Sequence, residues 1–211
     1  MPPSERVAIY GGTFDPIHRG HVEALDAVFD GMGWSRIVLM PARTQPFKIG
    51  LATSSPYDRH AMAVLATQHD PRFEVSKLEL ERDGVSYTVD TLESLCTSNP
   101  GWAIDWIIGD DNLALLPKWK SLGRILELAN FVVLDRTGSR ELTPELEARV
   151  VAPEVRSAAG AIVFAPNPRI AVSATDIRRR VATGEHFEDF VDRSVAEYIS
   201  RNRLYATEDE S

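Results

Sequence analysis

Two histidines three residues apart, His18 and His21, close the run Gly11-Gly12-Thr13-Phe14-Asp15-Pro16-Ile17-His18-Arg19-Gly20-His21. In the first turn of a helix that spacing puts both imidazoles on one face. Imidazoles so placed can donate hydrogen bonds to a phosphate, ligate a metal, or simply be solvated. A zinc site would need a third ligand, and none stands at a recognisable spacing. Gly11 and Gly12 let the backbone come close to a ligand. The helix N-terminus that follows offers free N–H groups and a positive dipole end suited to phosphate. Gly20 would let a flat base or a phosphate rest against the backbone. A P-loop and a GxGxxG dinucleotide fingerprint are both absent from the sequence.

Three further segments carry polar groups at element ends. Ser173-Ala174-Thr175-Asp176-Ile177-Arg178 reads as a capped helix start, with Ser173 at the N-cap and Asp176 three residues on. Ser86-Tyr87-Thr88-Val89-Asp90-Thr91 reads the same way. Ile107-Ile108-Gly109-Asp110-Asp111 ends a strand in two carboxylates, which could cap a helix, bind magnesium or accept ribose hydroxyls. Lys118-Trp119 follows shortly after, and Trp119 on its own reads as core packing. The single cysteine, Cys96, excludes an intrachain disulfide and reads as a small buried hydrophobe.

Alternating strands and helices must position these groups. Apolar runs at 7–10, 37–40, 103–108, 131–134 and 161–164 read as buried strands. Residues 73–80 alternate and read as a strand with a register break. Helical spacing marks 21–32, 87–95, 122–129, 177–181 and 191–199. Ser55-Pro56 is an N-cap followed by proline at the first helical position, opening a helix to about residue 68. The pattern predicts an α/β fold around a mostly parallel sheet, as one domain over residues 1–211. Residues 137–160 are the least readable and are expected to be a surface insertion; residues 206–211 are expected to be a disordered acidic tail.

Of the 211 residues, 44% are hydrophobic and 26% charged, as in a packed globular protein. With 23 basic and 31 acidic residues the net charge is −8, which argues against nucleic acid or an anionic membrane as partner. Neither a secretion signal nor an apolar run long enough to span a membrane is evident, so a cytoplasmic location is expected.

The eleven-residue run GGTFDPIHRGH resembles the HxGH signature of the nucleotidylyltransferase superfamily. Within it the chain resembles the bacterial nicotinate-nucleotide adenylyltransferases from about residue 7 to residue 205. The resemblance implies a Rossmann-like, doubly wound sheet with its active site where the strand order reverses. It implies transfer of the adenylyl group of ATP to nicotinate mononucleotide, with Mg2+ held mainly by phosphates and water. His18, His21, Lys48 and Arg178 would be catalytic. Gly11, Gly12, Thr13 and Phe14 would contact ATP, as would Gly109 and Asp111, the latter on the adenosine ribose. Ser173, Thr175 and Arg178, in the S-x-T-x-I-R pattern, would hold its phosphates. Ser86, Tyr87 and Thr88 would receive the nicotinate carboxylate on backbone N–H groups, and Trp119 would stack on the pyridine ring. Two alternatives stay open: another small phosphate substrate such as nicotinamide mononucleotide or phosphopantetheine, and a catalytically silent nucleotide-binding regulator. A homo-oligomer is compatible with the sequence. In one departure from the family, Gln45-Pro46-Phe47-Lys48 has phenylalanine where a histidine is usual, so Lys48 can meet a phosphate there and Phe47 cannot.

Overall fold

The computed structural model describes residues 4–49 and 53–206. Six strands form one sheet: β1 (Glu5–Gly12), β2 (Arg36–Pro41), β3 (Phe73–Val75), β4 (Trp102–Gly109), β5 (Ala129–Leu134) and β6 (Ile162–Phe164). Their order is β3-β2-β1-β4-β5-β6, and every pairing is parallel. The order reverses between β1 and β4, which puts a crevice beyond their carboxyl ends. Parallel strands are covered on both faces, and the sequence shows it: all six residues of β5 are buried.

Eight α-helices occur among the described residues: α1 (Arg19–Asp26), α2 (Pro56–Thr67), α3 (Leu78–Glu81), α4 (Thr88–Ser98), α5 (Leu122–Leu128), α6 (Pro144–Glu147), α7 (Ala174–Thr183) and α8 (Arg193–Arg201). Two apolar clusters lie on the two faces of the sheet. One joins Ala8, Tyr10 and Val132 to Leu25, Met62, Ile177 and Ile199 of the helices. The other joins Val7, Ile9 and Val133 to Leu92, Leu95 and Ile125. Among the described residues no helix is long and apolar enough to cross a membrane.

Two expectations change. The alternating stretch 73–80 is not one strand: β3 ends at Val75, and Ser76 Oγ accepts the Leu78 N–H at 3.1 Å, starting the short helix α3. α1 ends at Asp26, well before residue 32. Residues 137–160 lie largely at the surface, as expected of an insertion, but they are pinned to the core. Leu146 of α6 is buried in the second cluster, and Val150 bridges Ile162. Arg156 donates to the fully buried Asp105 at 3.0 Å and to the Met32 carbonyl. Asp105 also receives Arg6 at 2.9 Å, Trp34 Nε1 at 2.8 Å and Asn130 at 2.9 Å, so four donors surround one buried carboxylate. The acidic tail lies outside the described residues, apart from Ala206.

Candidate active site

A cleft of about 650 Å³ opens where the strand order reverses. It is lined by the end of β1 and the loop after it, the N-terminal turns of α1, α4 and α7, the end of β4, and the 3-10 helix Asp110–Lys118 that follows. Gly11, Gly12, Thr13, Phe14, His18 and His21 all face it, and so do Ser86, Tyr87, Thr88, Gly109, Asp111, Trp119, Ser173, Thr175 and Arg178. The structure thus gathers into one cavity segments that lie up to 167 residues apart in sequence (Gly11 to Arg178, 178 − 11). The Lys48 side chain lies outside the described residues; Pro46 and Phe47 line the cleft, with Phe47 45% exposed.

The glycines have a reason the sequence did not reveal. A Cβ on Gly11 would come within 2.6 Å of the Trp106 ring, and one on Gly12 within 2.8 Å of the Phe14 ring. A Cβ on Gly20 would press on the His18 ring at 3.1 Å. A side chain at any of these three positions would therefore press on a ring of the protein itself, while Gly11 and Gly12 also line the cleft.

His18 and His21 stack, with ring centroids 3.7 Å apart and 29° between planes. The His18 backbone N–H donates to His21 Nδ1 at 3.2 Å, which makes Nε2 the protonated nitrogen of a neutral His21 ring. His18 is 3% exposed. Burial, and secondarily the positive charge of Arg136, lower its pKa to about 3, so it is neutral near pH 7. Neither His18 ring nitrogen has a hydrogen-bond partner among the described residues.

Six buried side-chain polar atoms among the described residues lack a partner. Five of them belong to cleft residues: Thr13 Oγ1, both His18 nitrogens, Gln45 Oε1 and Trp119 Nε1. Buried polar groups are ordinarily paired, so their concentration in one cavity marks a place where a polar ligand completes the structure.

At the α7 end, Ser173 Oγ accepts the Asp176 N–H at 3.2 Å, as the cap pattern requires. Arg178 donates to the Asp15 carbonyl at 2.6 Å and to Thr175 Oγ1 at 3.3 Å. At the α4 end the expectation narrows. The Ser86 N–H is taken by the Thr44 carbonyl at 2.9 Å and the Tyr87 N–H by the Val85 carbonyl at 3.1 Å. Ser86 Oγ accepts the Arg43 N–H at 3.0 Å. Tyr87 makes no side-chain cap, and its carbonyl takes the Asp90 and Thr91 N–H groups, so the open N–H groups at this helix start are those of Thr88 and Val89. The Trp119 ring packs edge-on against Phe131, with centroids 5.6 Å apart, and also lines the cleft.

Two residues were missed from sequence, Arg136 and Glu79. Arg136 follows β5, lines the cleft and pairs with Asp111 Oδ1 at 3.5 Å. Its place just past the carboxyl end of a strand beside the crevice was the available signal. Asp110 is the anchor behind it, with a carboxylate accepting the N–H groups of Arg136, Thr137, Gly138 and Ser139. Burial pushes the Asp110 pKa up, but the Thr137 N–H and hydroxyl and the Gly138 and Arg136 N–H groups outweigh it and hold the group below the usual carboxylate range. Glu79 is 3% exposed and lines the cleft beside Ser86; burial raises its pKa although Thr91 Oγ1 donates to it at 2.6 Å.

Lys118, Lys120, Arg136 and Arg178 face the cleft against Asp15, Glu79 and Asp111. Lys120 is paired with Asp90 at 3.0 Å and Arg136 with Asp111 at 3.5 Å, which leaves Lys118 and Arg178 as the cleft cations without a carboxylate partner among the described residues. Among the described residues no three His, Cys, Asp or Glu side chains converge as a metal-binding group.

Comparison with known proteins agrees with this geometry. A family model described as cytidylyltransferase-like matches residues 9–180. A probable nicotinate-nucleotide adenylyltransferase of Herpetosiphon aurantiacus is 38% identical over 203 residues, covering 95% of this chain and 98% of the relative. One from Roseiflexus sp. is 39% identical, covering 96% and 98%. Among solved structures, a Plasmodium falciparum nicotinic acid mononucleotide adenylyltransferase complexed with NaAD superposes with a TM-score of 0.74, covering 95% of this chain and 97% of that one. At 17% identity that likeness speaks for the fold alone.

Proposed function

The chain belongs to the cytidylyltransferase-like family and, within it, to the nicotinate-nucleotide adenylyltransferases, and from that membership we propose that it joins the adenylyl group of ATP to nicotinate mononucleotide, giving nicotinate adenine dinucleotide and pyrophosphate. The observation that carries the reading is the group of unpartnered buried polar atoms, both His18 ring nitrogens among them, in the cleft at the strand-order reversal. An enzyme of NAD biosynthesis in the cytoplasm is the corresponding cellular role, and the free thiol of Cys96 suits that compartment.

ATP enters as its magnesium complex, the ion held mainly by phosphates and water. The mononucleotide phosphate is already an anion near pH 7, so no general base is needed. One of its oxygens bonds to the α-phosphorus of ATP. The bond from that phosphorus to the bridging oxygen of the β-phosphate breaks, and pyrophosphate leaves with the electron pair. The protein aligns the two groups and stabilises charge on the transferring phosphoryl. Neutral His18 and the Nε2–H of His21 donate to phosphate oxygens, while Arg178 and Lys48 balance charge on the leaving group. Ser173, Thr175 and the first turn of α7 hold the phosphates. Gly109 and Asp111 take the adenosine, and Gly11 to Phe14 form the floor beneath it. The first turn of α4 at Thr88 takes the nicotinate carboxylate, and Trp119 stacks on the ring.

The test is pyrophosphate release with magnesium–ATP and a panel of nicotinate mononucleotide, nicotinamide mononucleotide and phosphopantetheine. Release with nicotinate mononucleotide supports the proposal. Release only with another acceptor overturns the substrate, and release with none overturns the activity.

A further inference from the structure

We propose that Tyr205 is a positioning residue for the transfer, aiming Arg178 through Asp15. The inference rests on the assignment of Arg178 to the ATP phosphates. After α8 the chain turns back, and the Tyr205 hydroxyl donates to Asp15 Oδ1 at 2.7 Å, 190 residues earlier. Asp15 is 4% exposed, and its Oδ2 accepts the Ser54 N–H at 3.3 Å. The carbonyl of this same residue is the acceptor for Arg178 Nη1. Arg178's other hydrogen-bond partner is Thr175, on its own helix, so the Asp15 carbonyl is what ties the guanidinium to the β1 side of the cleft.

The rest of the loop is gripped equally firmly. Arg59, only 1% exposed, donates to the carbonyls of Thr13 at 2.6 Å, Ser54 at 3.2 Å and Arg43 at 3.2 Å. The backbone of residues 13–15 is therefore held at Thr13 by Arg59, and at Asp15 by Tyr205 and Ser54. Fixing a carbonyl fixes the direction of the donor that meets it. Burial and the charge of Asp15 push the Tyr205 pKa up, so the hydroxyl keeps the proton it donates.

A double-mutant cycle tests this, read as magnesium–ATP affinity by titration calorimetry without any mononucleotide. Tyr205→Phe is expected to weaken binding about tenfold in the otherwise unaltered chain, and by less than about twofold in an Arg178→Ala background. Tyr198→Phe is the control. Its hydroxyl donates to Asp58 Oδ1 at 2.8 Å, a matching bond from the same part of the chain, and its loss is expected to lower thermal stability and leave ATP affinity unchanged. Equal losses in both Arg178 backgrounds, or an equal loss in Tyr198→Phe, overturn the proposal. If Tyr205→Phe does not fold, the cycle is run with Asp15→Asn, which keeps the backbone carbonyl and weakens the anchor. Normal ATP affinity in Arg178→Ala would remove the premise and the proposal with it. Failure to turn over nicotinate mononucleotide would sink the functional reading alone, because this cycle needs only ATP.

Discussion

The backbone N–H of His18 donates to Nδ1 of His21, and the two imidazoles stack 3.7 Å apart. One histidine thus sets the proton position of the other, leaving Nε2–H of a neutral His21 as its donor. His21→Ala is expected to lower turnover ~10²–10³-fold, the usual cost of losing one donor to a transition-state oxyanion, with a much smaller change in ATP affinity. Single-turnover rates and ATP titrations separate the two; near-normal turnover would remove His21 from the chemistry.

His18 makes a prediction about pH. Its folded pKa of about 3 lies below the 6.5 of an unperturbed histidine, because burial penalises the cation. The unfolded chain therefore takes up this proton first as pH falls. The stability His18 contributes is complete above about pH 6.5 and is lost progressively toward pH 3, by at most ~1.4 kcal/mol per pH unit. Urea midpoints measured from pH 7 to pH 4.5 should fall more steeply in the parent chain than in His18→Gln. Parallel curves would show that His18 is not buried in its neutral form.

Trp119→Ala is expected to raise KM for the mononucleotide by an amount equivalent to roughly 1–3 kcal/mol while leaving KM for ATP nearly unchanged. It should also lower stability, since the ring packs on Phe131. Trp119→Phe should recover much of both. A matched rise in both Michaelis constants would assign Trp119 to general packing.

Asp105 supplies a test of the fold. Its carboxylate is fully buried and receives Arg6, Trp34, Asn130 and Arg156. Asp105→Ala leaves the buried Arg156 without its counter-ion, and a loss of about 3–5 kcal/mol is expected in chemical denaturation. A loss under about 1 kcal/mol would mean that residues 153–157 are not clamped there.

The legible parts of the chain were those governed by local patterns. Apolar runs located β1, β2, β4 and β5, and Ser55 and Ser173 cap α2 and α7 as their spacing required. Residues 78–81 were misread because Leu-Glu-Leu-Glu alternates like a strand, yet a single helical turn buries both Glu79 and Leu80. Arg136 and residues 137–160 escaped because distant carboxylates fix them: Asp110 holds the N–H groups of residues 136–139, and Asp105 holds Arg156. No sequence window contains both ends of such a bond. The family resemblance named the cleft residues, but only the structure separated the occupied N–H groups of Ser86 and Tyr87 from the open ones of Thr88 and Val89.

The choice between nicotinate and nicotinamide mononucleotide tests the account most directly. The two differ only in a carboxylate against a neutral amide. The α4 N-terminus, with the Thr88 and Val89 N–H groups open, favours the anion by ~0.3–1 kcal/mol when exposed and up to ~2 kcal/mol when partly buried. Backbone donors also disfavour the amide's own N–H groups. About 1.4 kcal/mol is a factor of ten, so kcat/KM at matched magnesium–ATP should favour nicotinate mononucleotide by on the order of tenfold. Equal efficiencies, or a preference for the amide, would contradict the assignment of the α4 N-terminus to the nicotinate carboxylate and, with it, the proposed substrate.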